Sequence, residues 1–366
     1  MRPDPVIVIP IVAGIGNALL AMPMVKRLKE AQPGAKIIIL ARTNAMAEPF
    51  RRMLREVHET IVIGGGPIRL LGALRLIRRA RADIFLVPFP SNRWQYALLA
   101  LLSGAKHKVL HGYPVGYWRA WGFVGTRFPA VRGLHDVEQN LRLLQAIGMD
   151  SGLPEAPRFE LNECDRESAD QLLRAVPGSF IAIHAGSAGT ILARAKRWPV
   201  SKYAQLIEII VHEFDHHICL LEGPDEVGVA ESITKLVEKR APAAAAKLNL
   251  IRLNGPLGGA AGVFSRAALY VGSDSGLAHL AAAVGTRAVT LFAPADPDRA
   301  CPYGNRDLVV KSSNDCSPCF MYPWQTPYPK MKCREPFCID GIEVERVMEK
   351  VRSVLPVPSP SGRGLG

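Results

Sequence analysis

Residues 6–30, VIVIPIVAGIGNALLAMPMVKRLKE, and residues 180–189, FIAIHAGSAG, decide the fold between them. In the first, the β-branched run Val6 to Ile11 has the pattern of a fully buried strand. Ala13-Gly14-Ile15-Gly16-Asn17 is a glycine turn, and Leu19 to Glu30 carries helical spacing. The second stretch repeats this logic with the strand Phe180 to His184, the small-residue loop Ala185-Gly186-Ser187-Ala188-Gly189 and a helix from Ser201 to Glu213.

Working outward from the first stretch, strands are expected at Lys36 to Leu40, Thr60 to Ile63 and Ile84 to Pro88, alternating with helices at Ala47 to Arg55, Ile68 to Arg81 and Arg93 to Leu102. Such alternation implies right-handed βαβ units and a parallel sheet. The helix Ile68 to Arg81 should turn Leu70, Leu71, Leu74 and Ile77 to one side and leave Arg75, Arg78, Arg79 and Arg81 solvated, as an ordinary surface helix or as an acceptor-binding one. A helix from His135 to Ile147 stops at Gly148, and the Gly- and Pro-rich stretch Asp150 to Pro157 reads as a linker.

Beyond the second stretch come a strand at His217 to Leu221, a helix at Val227 to Lys239, a strand at Leu269 to Val271, a helix at Leu277 to Val284 and a strand at Ala288 to Phe292. A last helix, about Glu343 to Leu355, precedes a tail rich in Pro, Ser and Gly that is expected to be disordered. The domains are therefore placed at 1–155, 156–355 and the tail 356–366, with two Rossmann-like halves facing a central cleft.

Composition narrows the partners. Residues 1–155 hold 21 Lys and Arg against 10 Asp and Glu, whereas residues 156–366 hold 24 against 23, so nearly all of the net +12 lies in the first half. A field concentrated on one half favours a polyanion there: nucleic acid, an anionic membrane face, or a phosphorylated or carboxylated glycolipid. Nucleic acid is disfavoured, since basic residues are not interleaved with aromatics in any known module. With no transmembrane-length apolar run and no signal peptide, a cytoplasmic location is expected.

The segment that most directly carries chemistry is Gly272-Ser273-Asp274-Ser275-Gly276-Leu277-Ala278-His279. It sets Ser, Asp, Ser and Gly where a strand gives way to a helix, so unpaired backbone N–H groups would meet a phosphate there. Asp274 or Ser275 could equally cap the helix, which is compatible with phosphate binding, and His279 could be a donor-side group or a packed core histidine. Of seven cysteines, Cys164, Cys219 and Cys301 are scattered and read as buried or inert. Cys316, Cys319, Cys333 and Cys338, spaced C-x2-C-x13-C-x4-C, could close a structural zinc or iron site or a packed thiol knot.

These motifs together resemble glycosyltransferase family 9, the heptosyltransferases. The resemblance rests on Gly272 to Pro297, the Gly-x-Gly-x-x-Leu-x-x-x-Pro pattern from Gly14 to Pro23, and His135-x-Val137-Glu138-x-Asn140. His184-Ala185-Gly186-Ser187, Lys196-Arg197-Trp198-Pro199 and Glu222-Gly223-Pro224-Asp225-Glu226 complete it, over roughly Val6 to Leu355. It implies a GT-B fold, with a C-terminal domain that binds an ADP-sugar and an N-terminal domain that binds an anionic glycolipid acceptor at the inner face of the inner membrane. It further implies that Gly186, Ser187 and Asp274 to Gly276 hold the diphosphate, that Glu226 bonds the ribose, and that Lys196 neutralises the leaving group in place of a metal cofactor. Relatives carry similar C-terminal cysteines, and a branch that heptosylates proteins carries an iron-bound finger.

One position departs from the family. Where it places a proton-accepting Asp in the first loop, beside Gly14 and Gly16, this chain has Asn17, whose amide can orient a hydroxyl but cannot take its proton near neutral pH. The resemblance therefore implies an inverting transferase of lipopolysaccharide heptose, with two alternatives: a protein heptosyltransferase, or a nucleotide-sugar-binding homologue with weak or lost catalysis.

Overall fold

The computed structural model describes residues 4–64, 67–115, 122–187, 195–324 and 338–356. The expected tail beyond residue 356, Ala188 and Gly189 of the second glycine loop, and Cys333 lie outside them.

The first sheet contains β1 (Val6–Ile11), β2 (Lys36–Ala41), β3 (Glu59–Val62), β4 (Ile84–Leu86), β5 (His107–Gly112) and β6 (Thr126–Pro129), all parallel, in the order β3-β2-β1-β4-β5-β6. The second contains β7 (Phe180–His184), β8 (His217–Glu222), β9 (Leu248–Arg252), β10 (Leu269–Ser273), β11 (Ala288–Phe292) and β12 (Val309–Lys311). Its order, β12-β11-β10-β7-β8-β9, is the same winding: three strands laid outward in one direction, then a return to the other side of the first. Each sheet thus has a switch point, between β1 and β4 and between β7 and β10, where loops leaving the carboxyl ends diverge and open a crevice for a ligand. The chain is α/β with two Rossmann-like sheets, as the repeated strand–loop–helix stretches imply.

Helices cover the sheets because the strands are apolar on both faces, and the central ones are buried almost throughout. In the N-terminal unit these are α1 (Ile15–Ala31), α2 (Asn44–Arg51), α3 (Pro67–Arg79), α4 (Trp94–Leu102) and α5 (Asp136–Arg142). One face of this sheet, through Val8, Ile38, Phe85 and Leu110, packs on Ala73, Leu74 and Ile77 of α3 and on Tyr96, Ala97 and Ala100 of α4. Leu71, expected on that inner side, instead points outward and is 56% exposed, because the buried stripe of α3 is narrower than its apolar residues allow; Arg75, Arg78 and Arg79 are exposed. Helix α2 starts earlier than expected because the Thr43 hydroxyl accepts from the Met46 N–H and caps it.

The second unit adds α6 (Glu163–Leu172), α7 (Val200–Phe214), α8 (Val229–Arg240), α9 (Leu257–Phe264), α10 (Gly276–Ala283) and α11 (Val344–Val354). Val347, Met348 and Val351 of α11 join the core under β7, β10 and β11. The chain divides after Phe159, and two later segments, Asp298–Tyr303 and residues 321–324, belong to the N-terminal unit. No described helix is long and apolar enough to cross a membrane.

Candidate functional site

In the C-terminal unit the loops that leave β7, β8 and β10 bring most of the candidate residues together around the switch point. Strand β7 ends at His184, which is buried. Its Nε2 lies 2.6 Å from Oε1 of Glu226, and the Gly223 N–H donates to the same oxygen at 3.0 Å. With Nε2 carrying the proton, Nδ1 is left to accept from the Tyr270 hydroxyl at 3.4 Å. Burial opposes ionisation of Glu226, but the His184 hydrogen bond, the Gly223 N–H and the nearby Arg197 prevail and hold its carboxyl below the ordinary range. Burial, partly offset by Ser275, raises the Tyr270 phenol well above its usual range, so it remains a neutral donor.

Gly186 is fixed by this carboxylate. A Cβ there would stand 2.3 Å from Cδ and 2.5 Å from Cγ of Glu226, so any side chain would displace Glu226 from His184. Ser187 is buried, and its carbonyl accepts from the Arg197 guanidinium at 2.7 Å; the same guanidinium reaches the Asp225 carbonyl at 3.2 Å. Arg197 thereby ties the loop after β7 to the loop after β8. Glu222, by contrast, serves the scaffold, since its Oε1 accepts from the N–H groups of Gly228 and Ala230 and closes the start of α8.

The third loop holds the cation. Lys196 Nζ lies 2.5 Å from Asp274 Oδ2, with both side chains mostly buried. One residue on, Ser275 is the N-cap of α10 in extended conformation, yet no side chain caps the helix, and the enclosed Ser275 hydroxyl sits beside the Tyr270 phenol. The first N–H groups of α10, beginning at Gly276, therefore remain available to a ligand. His279 is buried one turn further along the same helix. Gly272 lets this loop lie close to β7, since a Cβ would meet the His184 carbonyl oxygen and the Tyr270 hydroxyl, each at 2.7 Å. The sequence does not mark His184, Tyr270 and Arg197 as site residues; His184 and Arg197 sit inside the motifs His184-Ala185-Gly186-Ser187 and Lys196-Arg197-Trp198-Pro199, whereas nothing local distinguishes Tyr270.

Asn17, Gly14 and Gly16 lie in the other unit, at the carboxyl end of β1. Gly14 is the N-cap of α1 and Asn17 falls in the first helical turn, which holds no acidic residue. The His135-x-Val137-Glu138-x-Asn140 motif in this unit is structural. The Nδ1 of His135 accepts from the Val137 N–H, and Glu138 accepts from the His135 N–H, so the two cap α5 reciprocally. The second ring nitrogen of His135 donates to the Cys301 carbonyl at 2.8 Å. Asn140 accepts from the Phe89 N–H at 2.7 Å and donates to the Leu20 carbonyl at 3.2 Å, pinning α5 to the loop after β4 and to α1.

The described cysteines differ in burial. Cys219 and Cys301 are buried, and burial pushes the Cys219 thiol up to about 12, but Cys164, read as buried or inert, is exposed because it lies on the outward side of α6. Cys316 is exposed, Cys319 half-buried and Cys338 buried, and among the described residues no three His, Cys, Asp or Glu side chains gather as a metal site would require.

The two parallel sheets define an α/β protein of the GT-B kind, and known proteins narrow the class. The sequence profile of glycosyltransferase family 9 (heptosyltransferase) matches residues 73–328. Lipopolysaccharide heptosyltransferase 3 of Escherichia coli K12 is 25% identical over 360 residues, covering 94% of this chain and 97% of its own. Among solved structures, a family 9 glycosyltransferase from Veillonella parvula superposes with a TM-score of 0.75 at 18% identity, covering 97% of this chain and 98% of its own. The Escherichia coli ADP-heptose LPS heptosyltransferase II does so with a TM-score of 0.69 at 18% identity, covering 95% and 98%. The chain belongs to glycosyltransferase family 9 and is a glycosyltransferase of the heptosyltransferase type.

Proposed function

We propose that this enzyme transfers heptose from ADP-heptose, with inversion and without a catalytic metal, to a hydroxyl of the lipopolysaccharide inner core presented at the inner face of the cytoplasmic membrane. The observation that carries the reading is the Lys196–Asp274 pair beside the uncapped start of α10. When the acceptor oxygen attacks the anomeric carbon and the bond to the diphosphate breaks, negative charge grows on the departing ADP. A fixed ammonium and the first N–H groups of α10 are already oriented for it, which is the economical way to stabilise such charge in a dry site.

In this reading Asp274 does not hold phosphate oxygens, which its carboxylate would repel; it positions Lys196, and the backbone from Ser275 to Gly276 binds the diphosphate. Ser187 lines the same crevice, and Glu226 presents Oε2 to the ribose hydroxyls while Oε1 is occupied by His184 and Gly223. A donor-side role for His279 rests only on its place on α10. The acceptor side is the basic N-terminal half, whose charge matches the carboxylates and phosphates of an inner-core glycolipid.

The test is ADP release by the purified enzyme with ADP-heptose and an inner-core acceptor in the presence of a chelator. Lys196→Ala should lower kcat by about 10²–10³ while the donor still binds in calorimetry. Loss of wild-type transfer on chelation, or an unchanged rate in the variant, would contradict it. Asn17 favours a second reading, a nucleotide-sugar-binding homologue with little turnover, which predicts calorimetric binding of ADP-heptose with no ADP released to glycolipid or protein acceptors.

A further inference from the structure

The outer surface of the layer made by α3, α4 and the 3-10 turn Gly122–Val124 carries chemistry that sugar transfer does not use. Leu71, Trp94, Leu101 and Phe123 on these elements are all exposed, Phe123 with 75% of its surface. The inner sides of α3 and α4 are already packed on the sheet, so these side chains are surplus to the core. Helix α4, Trp94–Leu102, has the sequence WQYALLALL, with no charged residue on any face. Trp94, Leu98 and Leu101, spaced i, i+4 and i+7, form an apolar row where a helix facing water carries charge. Beside that row stand the exposed Arg75, Arg78 and Arg79 of α3, with the Arg78 guanidinium joined to the Leu102 carbonyl at 3.0 Å. From residue 60 to residue 135 the chain has 11 Lys and Arg but a single acidic residue, Asp83. Asp83 is buried and bound to the Val6 N–H and Lys106, so it contributes little negative charge to the surface.

We propose that this face is a docking surface for an anionic lipid bilayer, with the α4 row, Leu71 and Phe123 entering the interfacial zone and the arginines meeting phosphate headgroups. A second copy of the chain fits poorly, because two such faces would oppose arginines without a carboxylate between them. An amphipathic, Trp-bearing, basic and acid-free surface is what an anionic interface selects. The inference builds on the proposed membrane-borne acceptor by naming the surface that meets the membrane, and it can fail separately from that reading.

The experiment is flotation of the full chain with phosphatidylcholine vesicles, alone or containing about 30% phosphatidylglycerol, an anionic fraction sufficient to create a negative surface potential. Binding is expected only to the anionic vesicles and should weaken as salt rises. Leu101→Ser/Phe123→Ser should bind about tenfold more weakly, and Arg75→Ser/Arg79→Ser by at least that factor. Leu101→Ser/Phe123→Ser should transfer sugar to a delipidated acceptor at the wild-type rate, so loss of docking is separable from absence of the proposed transferase activity. Hydrogen exchange of the unaltered protein should show protection of residues 71–79 and 94–102 on adding anionic vesicles, independently of how the variants fold. Equal binding to neutral vesicles, unchanged binding in both variants, protection confined to other segments, or a wild-type dimer that disappears in Leu101→Ser/Phe123→Ser would each overturn the proposal.

Discussion

At Asn17 a neutral amide stands in the first turn of α1, at the positive end of a helix without an acidic residue there. A carboxylate introduced by Asn17→Asp would be kept ionised by the helix start and could accept the acceptor proton. Transfer should therefore rise by about 10²-fold or more if deprotonation limits the rate, read as kcat with saturating acceptor; an unchanged kcat would place the base elsewhere. His111 of β5 makes a different residue-scale statement. Its ring is buried with no hydrogen bond at either nitrogen, stacks edge-on to Phe89 at 5.3 Å, and is pushed down to about 3 by burial, with Arg142 repulsion adding to it. An unfolded histidine binds its proton near pH 6.5 and the native one refuses it until about pH 3, so native stability should fall as pH drops through that window. From about pH 7 to about pH 5 the loss is on the order of 2 kcal/mol. His111→Phe should flatten this part of the urea-midpoint profile, and an unaltered slope would assign the effect to other groups. Neither burial nor the absence of partners at His111 could be read from HKVLHG, because a histidine in a basic strand looks solvated until the neighbouring strands and Phe89 enclose it.

Helix α5 shows how a family motif can be architecture. Removing Asn140 would leave the Phe89 N–H and the Leu20 carbonyl unpaired in the interior. Asn140→Ala should therefore lower the unfolding free energy by about 2–4 kcal/mol, measured as a shift in urea midpoint at constant slope. An effect below about 0.5 kcal/mol would mean that water replaces both bonds. The elements that were legible are those whose local pattern and tertiary role agree: Val6–Ile11, Phe180–His184 and Ala288–Phe292 are largely apolar runs and have the expected ends. Helices α6 and α9 were not legible, and for a shared reason. The sequence of α9, LGGAAGVF, reads as a flexible loop by propensity, yet all eight of its residues are buried. Its glycines permit close packing on α6: a Cβ at Gly262 would meet the Asp165 carbonyl oxygen at 2.7 Å and the Ala169 Cβ at 2.8 Å. Strands β5, β6, β9 and β12 escaped because they are short or carry polar residues, and only their neighbours in the sheet supply the pairing that makes them strands. The same division holds for the candidate site, where the Asp274–Gly276 loop is visible as a strand-to-helix junction but the His184–Glu226 and Lys196–Asp274 pairs join positions 42 and 78 residues apart.

At the scale of the whole molecule, charge divides the labour that the proposed function requires. The first 155 residues hold 21 basic against 10 acidic residues, and the remainder is nearly balanced. In the proposed function the donor is met by a few fixed groups, Lys196 and the start of α10; Lys196 and its partner Asp274 are largely out of water, where added salt screens little. An anionic acceptor meets a broad exposed field on the N-terminal half, which acts over several ångströms and is screened on the scale of the Debye length, roughly 10 Å at 0.1 M salt. Raising sodium chloride from about 50 mM to about 500 mM should then increase KM for the glycolipid acceptor at least tenfold and change KM for ADP-heptose by less than about threefold, with kcat nearly constant. Because both constants come from the same enzyme under the same salt, general unfolding would move them together with kcat. Equal sensitivity of the two KM values would mean that the basic half does not read the acceptor's charge.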